Sequence, residues 1–536
     1  MRPRHAPVIF LVLAIAWTWP AAIAWDGWLV GRHFDLPGTA WFLSAGPRMG
    51  LDLHDPLTGW PEGITYYRPD SYVLLVASWL LQGLPAHVSH GLLQVLGVTA
   101  SAWAAEAFAR AAGARMPWSL LAGLAFGFSG LAANALLEGH VYHVMDPWMP
   151  LFGWAWLRAT GPGGRPHHGA LAALFFALTT MTTAYLGLAA AVIAVGFAFG
   201  GLAELRLRFP FAAALTAAAG VGVFGAWYLH QFSAAGAVEG LPGYDAASRE
   251  LFLMGNSTDL VGLLTPTPAV DRFFHAAAPT FSATALCLAG VAPLVLSAET
   301  RWKTLLGTGL AALVLSMGPW LHLGETWIPL PMVAISDLPA ADLLRHPRRL
   351  GWAWVLCGGV VAALVATRLA EHRGRAAWPL LACALIDAFV VVGLPLRQGA
   401  RPAQVPSAYL AGEGAVFDLF PTQPGLTYEL NGWLQGLACW YQTGHGRPIV
   451  DDCVVTRAAE NPRVGLSQTV LAGLLEGETG AVLSAMRGRR VSAIALHGDL
   501  FHPSDRARLI QALSRIDPDP VSSADGGEAL RIYRVR

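Results

Sequence analysis

Lysine is almost missing from this chain: Lys303 is the single one among 35 Lys and Arg side chains. Charge of either sign is scarce, at 13% of residues, and the formal net charge is zero. Without a basic excess there is nothing to neutralise a phosphate backbone, so nucleic acid is excluded as a partner. Cysteine is also rare, with five residues and no CxxC element, which argues against a structural zinc site.

What the chain has instead is apolar length, with 54% hydrophobic residues. From Ile9 to Leu396, apolar segments alternate with short loops, and every second loop carries arginine: Arg2 and Arg4; Arg110 and Arg115; Arg158 and Arg165; Arg206 and Arg208; Arg301 and Lys303; Arg368, Arg373 and Arg375. By the positive-inside rule these loops are cytoplasmic. Crossing a bilayer takes about 20 apolar residues, somewhat fewer with snorkelling. About eleven segments qualify, near 7–29, 88–109, 117–137, 144–158, 168–183, 185–203, 209–230, 279–298, 302–321, 347–369 and 376–396. Only Thr182, Thr183 and Tyr185 suggest a break in the continuous run 168–203.

The expectation is a polytopic α-helical protein of the bacterial inner membrane with a cytoplasmic N-terminus. Its core covers 1–396, its outside loops are 30–87, 231–278 and 322–346, and a small extracytoplasmic α/β domain covers 397–536. The first segment also fits a signal peptide ending near Ala22-Ile23-Ala24, but its long apolar run favours an uncleaved anchor.

In the tail, residues 415–419, 491–496 and 529–533 read as strands, and 465–487 and 503–515 as helices. The tail shows no nucleophile elbow, P-loop or dinucleotide fingerprint, so a structural or acceptor-docking role is its default. Cys439 and Cys453 fall in this outside domain, where an oxidising compartment allows a loop-closing disulfide. Cys287, Cys357 and Cys383 fall inside apolar segments, where cysteine is usually inert.

Chemistry is expected where the outer helix ends meet the outside loops. The first loop holds Asp35, Asp52, Asp55, Glu62 and Asp70 with Arg32, Arg48 and Arg68, among Trp41, Trp60, Tyr66, Tyr67 and Tyr72. Aromatic rings beside carboxylates suit a sugar, although membrane interfaces are aromatic as well. A second cluster, Glu138 to Pro150, crowds Glu138, His140, His143 and Asp146 into one turn. His140, His143 and Asp146 are candidate metal ligands if the turn is helical; otherwise Glu138 faces substrate, or the turn is simply a polar interface. A third cluster, Leu338 to Arg349, places Arg345, Arg348 and Arg349 on the outside, against the positive-inside trend. Guanidinium groups there suit a lipid-linked phosphate, with anionic headgroups as the competing explanation. No cofactor is demanded by the sequence, while a divalent metal has the candidate ligands just named.

These clusters occur in the order found in bacterial GT-C membrane glycosyltransferases, which the chain resembles over most of residues 7–400. The resemblance rests on Phe34-Asp35-Leu36-Pro37 with Ala40-Trp41-Phe42-Leu43, on Asp55-Pro56-Leu57 and Tyr66-Tyr67-Arg68-Pro69, on Ala125-Phe126-Gly127-Phe128-Ser129, Gly139-His140 and Trp148-Met149-Pro150-Leu151, and on Leu343-Leu344-Arg345 with Pro347-Arg348-Arg349. Two departures stand out. Phe34 replaces a common Gly, and the outside loops of the core have no Asp-x-Asp or Glu-x-Asp pair.

The resemblance implies transfer of a sugar from a polyprenyl-phosphate carrier to a glycan, lipid or protein acceptor at the outer face, among membrane lipids. It assigns Asp35 as the base and Asp55, Tyr67, Arg68, Glu138, His140, Asp146, Arg345, Arg348 and Arg349 as substrate-binding residues. A transporter or lipid flippase is the rival, and Asp387 is the clearest mid-membrane acid it could use, ahead of Glu106 and His230. A non-catalytic scaffold in surface-polysaccharide assembly is the third reading.

Overall fold

The computed structural model describes residues 3–22, 27–31, 35–50, 53–65, 71–161, 164–204, 222, 225, 253, 256–258, 282–296, 301–323, 326–335, 346–398, 400–421, 428–450, 453, 462–525 and 529–535. The expected segment 209–230 apart from positions 222 and 225, His230, Tyr67, Arg68, Arg345 and most of the loop 231–278 lie outside these residues.

Each described apolar segment is helical. In order come α1 (Ala6–Trp17), α2 (Asp35–Met49), α3 (Tyr72–Leu80), α4 (Ala86–Ala112), α5 (Leu120–Gly127), α6 (Gly130–Leu137), α7 (Val141–Val144), α8 (Trp148–Thr160), α9 (Pro166–Thr182) and α10 (Ala184–Glu204). Later core helices are Ala283–Gly290, Arg301–Ser316, Gly351–Arg373 and Pro379–Ile386. The break expected near Thr182 falls there: Thr183 is extended and stops α9 before α10 begins.

Three stretches among the described residues are long and apolar enough to cross a bilayer: Ala86–Ala112, Leu120–Leu137 and Pro347–Arg373. Among the described residues, the other expected spans do not combine that length with that apolar character. The 7–29 run gives only α1, 12 residues or roughly 18 Å, because the chain turns at Thr18 and Pro20 soon after Trp17. The 376–396 run is interrupted by a wider π turn at Asp387–Val391. Gly351–Arg373 is the central helix, buried along its length from Gly351 to Thr367. Small residues let its neighbours close in: a Cβ on Gly127 of α5 would sit 2.7 Å from the Ala102 methyl of α4. At the periphery the pattern reverses. Phe10, Ala14 and Trp17 of α1 face inward, while Val8, Val12 and Ile15 are exposed, an apolar outer face suited to lipid rather than water.

The tail carries a four-stranded sheet ordered β7–β8–β10–β9 (Ala415–Leu419, Val491–His497, Leu530–Arg534, Val521–Ser523). Strands β7 and β8 are parallel and the remaining pairings antiparallel. Two helices, Pro462–Glu476 and Thr479–Gly488, occupy the expected 465–487 helix, and Pro503–Ser514 follows β8. The sequence reading missed the helix Tyr428–His445, and that helix sets how the tail meets the core.

First loop and tail interleave. Strand β1 (Trp28–Val30) pairs with β6 (Ala400–Pro402), Ile449 exchanges backbone hydrogen bonds with Leu57 and Trp60, and α2 packs along Tyr428–His445. Cys439 and Cys453 are joined by a disulfide, and Cys439 packs in a cluster with Trp41, Ala45, Met49 and Ile449. At the opposite end of the long helices, the Arg115 amide donates to Thr367 and Arg115 pairs with Glu371. Two of the expected cytoplasmic loops therefore share one end, and the first loop and tail share the other.

Candidate active site at the helix ends beside the first loop

Asp35 opens α2, an end where a carboxylate is favoured by the helix dipole. Facing it is the turn between α6 and α7. Gly139 adopts φ +77° there, and a Cβ on it would fall 2.5 Å from the Leu36 Cα. Glycine is thus required for both conformation and contact, and it brings His140 to Asp35 across 105 positions of chain.

His140 Nε2 lies 2.8 Å from Asp35 Oδ2, and its Nδ1 lies 3.1 Å from Glu138 Oε2. Glu138 Oε1 accepts from Arg348 Nη2 at 2.7 Å. The result is one chain of side chains, Asp35–His140–Glu138–Arg348, in which two carboxylates are balanced by an imidazole and a guanidinium. Burial would lower the His140 pKa, but hydrogen bonds to the two carboxylates outweigh it and hold the ring at about 9, protonated at neutral pH. Both ring nitrogens then donate.

The next helix end places the third cluster. Pro347–Leu350 forms a short 3-10 turn leading into Gly351–Arg373. The Arg348 amide donates to the Asn256 carbonyl, and His346 Nδ1 lies 2.8 Å from Asn256 Oδ1. Arg349 differs from Arg348. Its guanidinium stacks over Tyr185 at 4.2 Å, and among the described residues no carboxylate pairs with it. Tyr185 is held edge-on to His346 in turn.

Several expectations need correction. Asp55 is fully buried and receives both Arg48 nitrogens, at 2.9 and 2.8 Å, with the Leu57 amide and Thr58 hydroxyl. It is a structural brace of the first loop, with no face left for substrate. Asp146 is buried away from the chain above and accepts from the Met149 amide. His143 is buried too, and burial keeps its ring neutral. The proposed metal set is not assembled: His140 has both nitrogens committed to carboxylates, and among the described residues no three His, Cys, Asp or Glu side chains converge as ligands. Among the described residues these donors do not fit a resident metal.

Asp387 also finds a structural role. Its carboxylate accepts from the Ser282 hydroxyl at 2.8 Å and the Thr284 amide at 2.7 Å, capping the helix Ala283–Gly290. Glu106 is tied to Arg110 and Ser119 near the opposite helix ends. Sequence reasoning gave no signal for the pairing of Tyr185 with Arg349 or of Asn256 with His346, since nothing local links them.

Long apolar helices, exposed apolar flanks and a polar cluster at one end define a polytopic membrane protein. No protein-family model and no curated protein sequence matches the chain. Solved structures do. Arabinofuranosyltransferase AftD from Mycobacteria superposes with a TM-score of 0.59 at 18% identity, covering 99% of this chain and 40% of that one. Archaeal oligosaccharyltransferase AglB from Archaeoglobus fulgidus, in complex with an inhibitory peptide and a dolichol-phosphate, gives 0.50 at 12% identity, covering 98% and 74%. The Archaeoglobus fulgidus oligosaccharyltransferase tethered with an acceptor peptide containing the NVT sequon gives 0.52 at 11%, covering 95% and 71%. This chain spans less than half the length of the arabinofuranosyltransferase it matches. The fold is that of the GT-C membrane glycosyltransferases.

Proposed function

We propose that this protein transfers a sugar from a polyprenyl-phosphate carrier to an acceptor hydroxyl at the extracytoplasmic face of the bacterial inner membrane. The observation that carries the reading is the Asp35–His140–Glu138–Arg348 chain at the helix ends, close to a stacked arginine that has no carboxylate partner among the described residues. The neighbours of known structure support it at the level of fold.

In this reading Asp35 is the general base. The acceptor oxygen bonds to the anomeric carbon, its proton passes to Asp35, and the bond from that carbon to the carrier oxygen breaks, its electron pair leaving on the phosphate. Protonated His140 keeps Asp35 oriented and ionised before the reaction. Arg348 serves at one remove: paired to Glu138, it holds the far end of the chain. Arg349 is the cation left for the departing phosphate, with Tyr185 fixing its plane. A transporter reading loses its clearest intramembrane acid, because Asp387 is spent on a helix cap.

Asp35→Asn keeps size and most hydrogen bonds but removes the proton acceptor. Transfer from a polyprenyl-phosphate sugar in vesicles should fall roughly 10²- to 10⁴-fold while donor binding persists. Arg349→Ala should instead weaken donor capture, read as a raised KM. Wild-type transfer by Asp35→Asn would end the catalytic assignment and leave the scaffold reading.

A further inference from the structure

We infer that Gln442, a residue of the tail, is a positioning residue for Asp35: it grips α2 from the far side and fixes where the helix presents its first carboxylate. The inference rests on the reading of Asp35 as the base. Gln442 is fully buried on the helix Tyr428–His445. Its Oε1 accepts from Trp41 Nε1 at 2.7 Å and from Arg48 Nη2 at 2.6 Å. Its Nε2 donates to the Leu57 carbonyl at 2.7 Å and the Arg447 carbonyl at 3.4 Å. All four hydrogen bonds of one amide are therefore used, and three of them hold the first loop.

Helix geometry turns that grip into an effect on Asp35. Trp41 and Arg48 are one heptad apart, so they lie within about 20° of each other around α2, while Asp35 points roughly 120–140° away. The turn bearing His140 presses on the first turn of α2 at Leu36, and Gln442 holds the same helix along another face. With the clamp gone, α2 is free to rotate or withdraw, and the Asp35–His140 contact lengthens first. A displacement of about 1 Å in a reacting group can cost on the order of 10²-fold in rate.

The test uses the full-length protein in nanodiscs, with ring-labelled histidine and the His140 signal identified by its loss in His140→Gln. The groups facing that ring are Asp35, Glu138, Tyr142 and His143, with Arg348 and Arg349 beyond. In Gln442→Leu the His140 titration midpoint should fall by about one unit or more, because part of its carboxylate contact is lost. Trp41→Phe, which removes a single donor, should shift it the same way by less. In the transfer assay, Gln442→Leu should lower kcat about 10-fold or more with donor KM little changed. A merely structural role would lower the active fraction and leave the midpoint in place.

An unmoved midpoint in folded Gln442→Leu overturns the inference, even if Asp35→Asn abolishes transfer. Should Gln442→Leu fail to fold, Trp41→Phe decides by the same criterion. A shifted midpoint in a protein that transfers no sugar supports the clamp and removes only the reading of the reaction.

Discussion

Arg348 and Arg349 are neighbours in sequence with different employment, and the difference follows from which partner each reaches. Arg348 is neutralised by Glu138, whereas Arg349 is backed by the Tyr185 ring and meets no carboxylate among the described residues. His140 supplies a pH prediction. Its folded pKa is raised above the ordinary value, so the stability it adds is fully present below about 6.5 and is lost as pH rises through about 9. Thermal unfolding in detergent should show wild-type protein losing Tm between these values, and His140→Gln should flatten that limb. Gly139→Ala is the harsher change, since a methyl group would meet the Leu36 backbone at positive φ. It should cost at least 1–3 kcal/mol by the usual cost of such strain, read as a lower Tm together with lost transfer.

Among the elements, helix ends concentrate the polar work. Asp35 begins α2, Arg348 and Arg349 precede Gly351–Arg373, and Asp387 caps Ala283–Gly290, which places each charge where backbone groups lack partners. Asp387→Ala should therefore destabilise the protein by roughly 1–2 kcal/mol, the range for a lost cap, and leave sugar transfer per folded molecule unchanged. Transfer abolished in a fully folded variant would return Asp387 to a functional role. The disulfide belongs to this scale as well, since Cys439 sits on the helix that packs against α2. Mass spectrometry after rapid alkylation should find Cys439 and Cys453 bonded in protein from an oxidising compartment. Cys439→Ser should loosen the tail and leave α4 and Gly351–Arg373 folded, because their burial lies elsewhere.

For the whole molecule, the arginine alternation predicts that reporters fused after Arg536 or inserted near Asp245 are active only outside the cytoplasm. Cytoplasmic activity at either position would reverse the orientation. The pairing of β1 with β6 demands that first loop and tail lie on one side whichever way the chain inserts.

Apolar length and arginine spacing are properties of consecutive residues, and bilayer thickness acts on them directly. The helices α4, α8, α9 and α10 and the stop at Thr183 were legible for that reason, and the three tail strands at 415–419, 491–497 and 530–534 from their own residue pattern, while α7 and the division of 117–137 into α5 and α6 were not. Asp35 was a candidate through the family resemblance, and Glu138, His140 and Arg348 through the crowding of polar side chains at helix ends; packing joins the four in one chain. Their assignment to roles was not legible. Asp55 and Asp35 look alike in the sequence, and only packing shows one clamped by Arg48 and the other facing His140. The short outer helices, the π turn at Asp387 and the grip of Gln442 on α2 likewise depend on contacts between residues up to about 400 positions apart. Sequence fixes which stretches leave water, because transfer into lipid is additive along the chain; which polar groups meet is decided by close packing, which is additive along nothing.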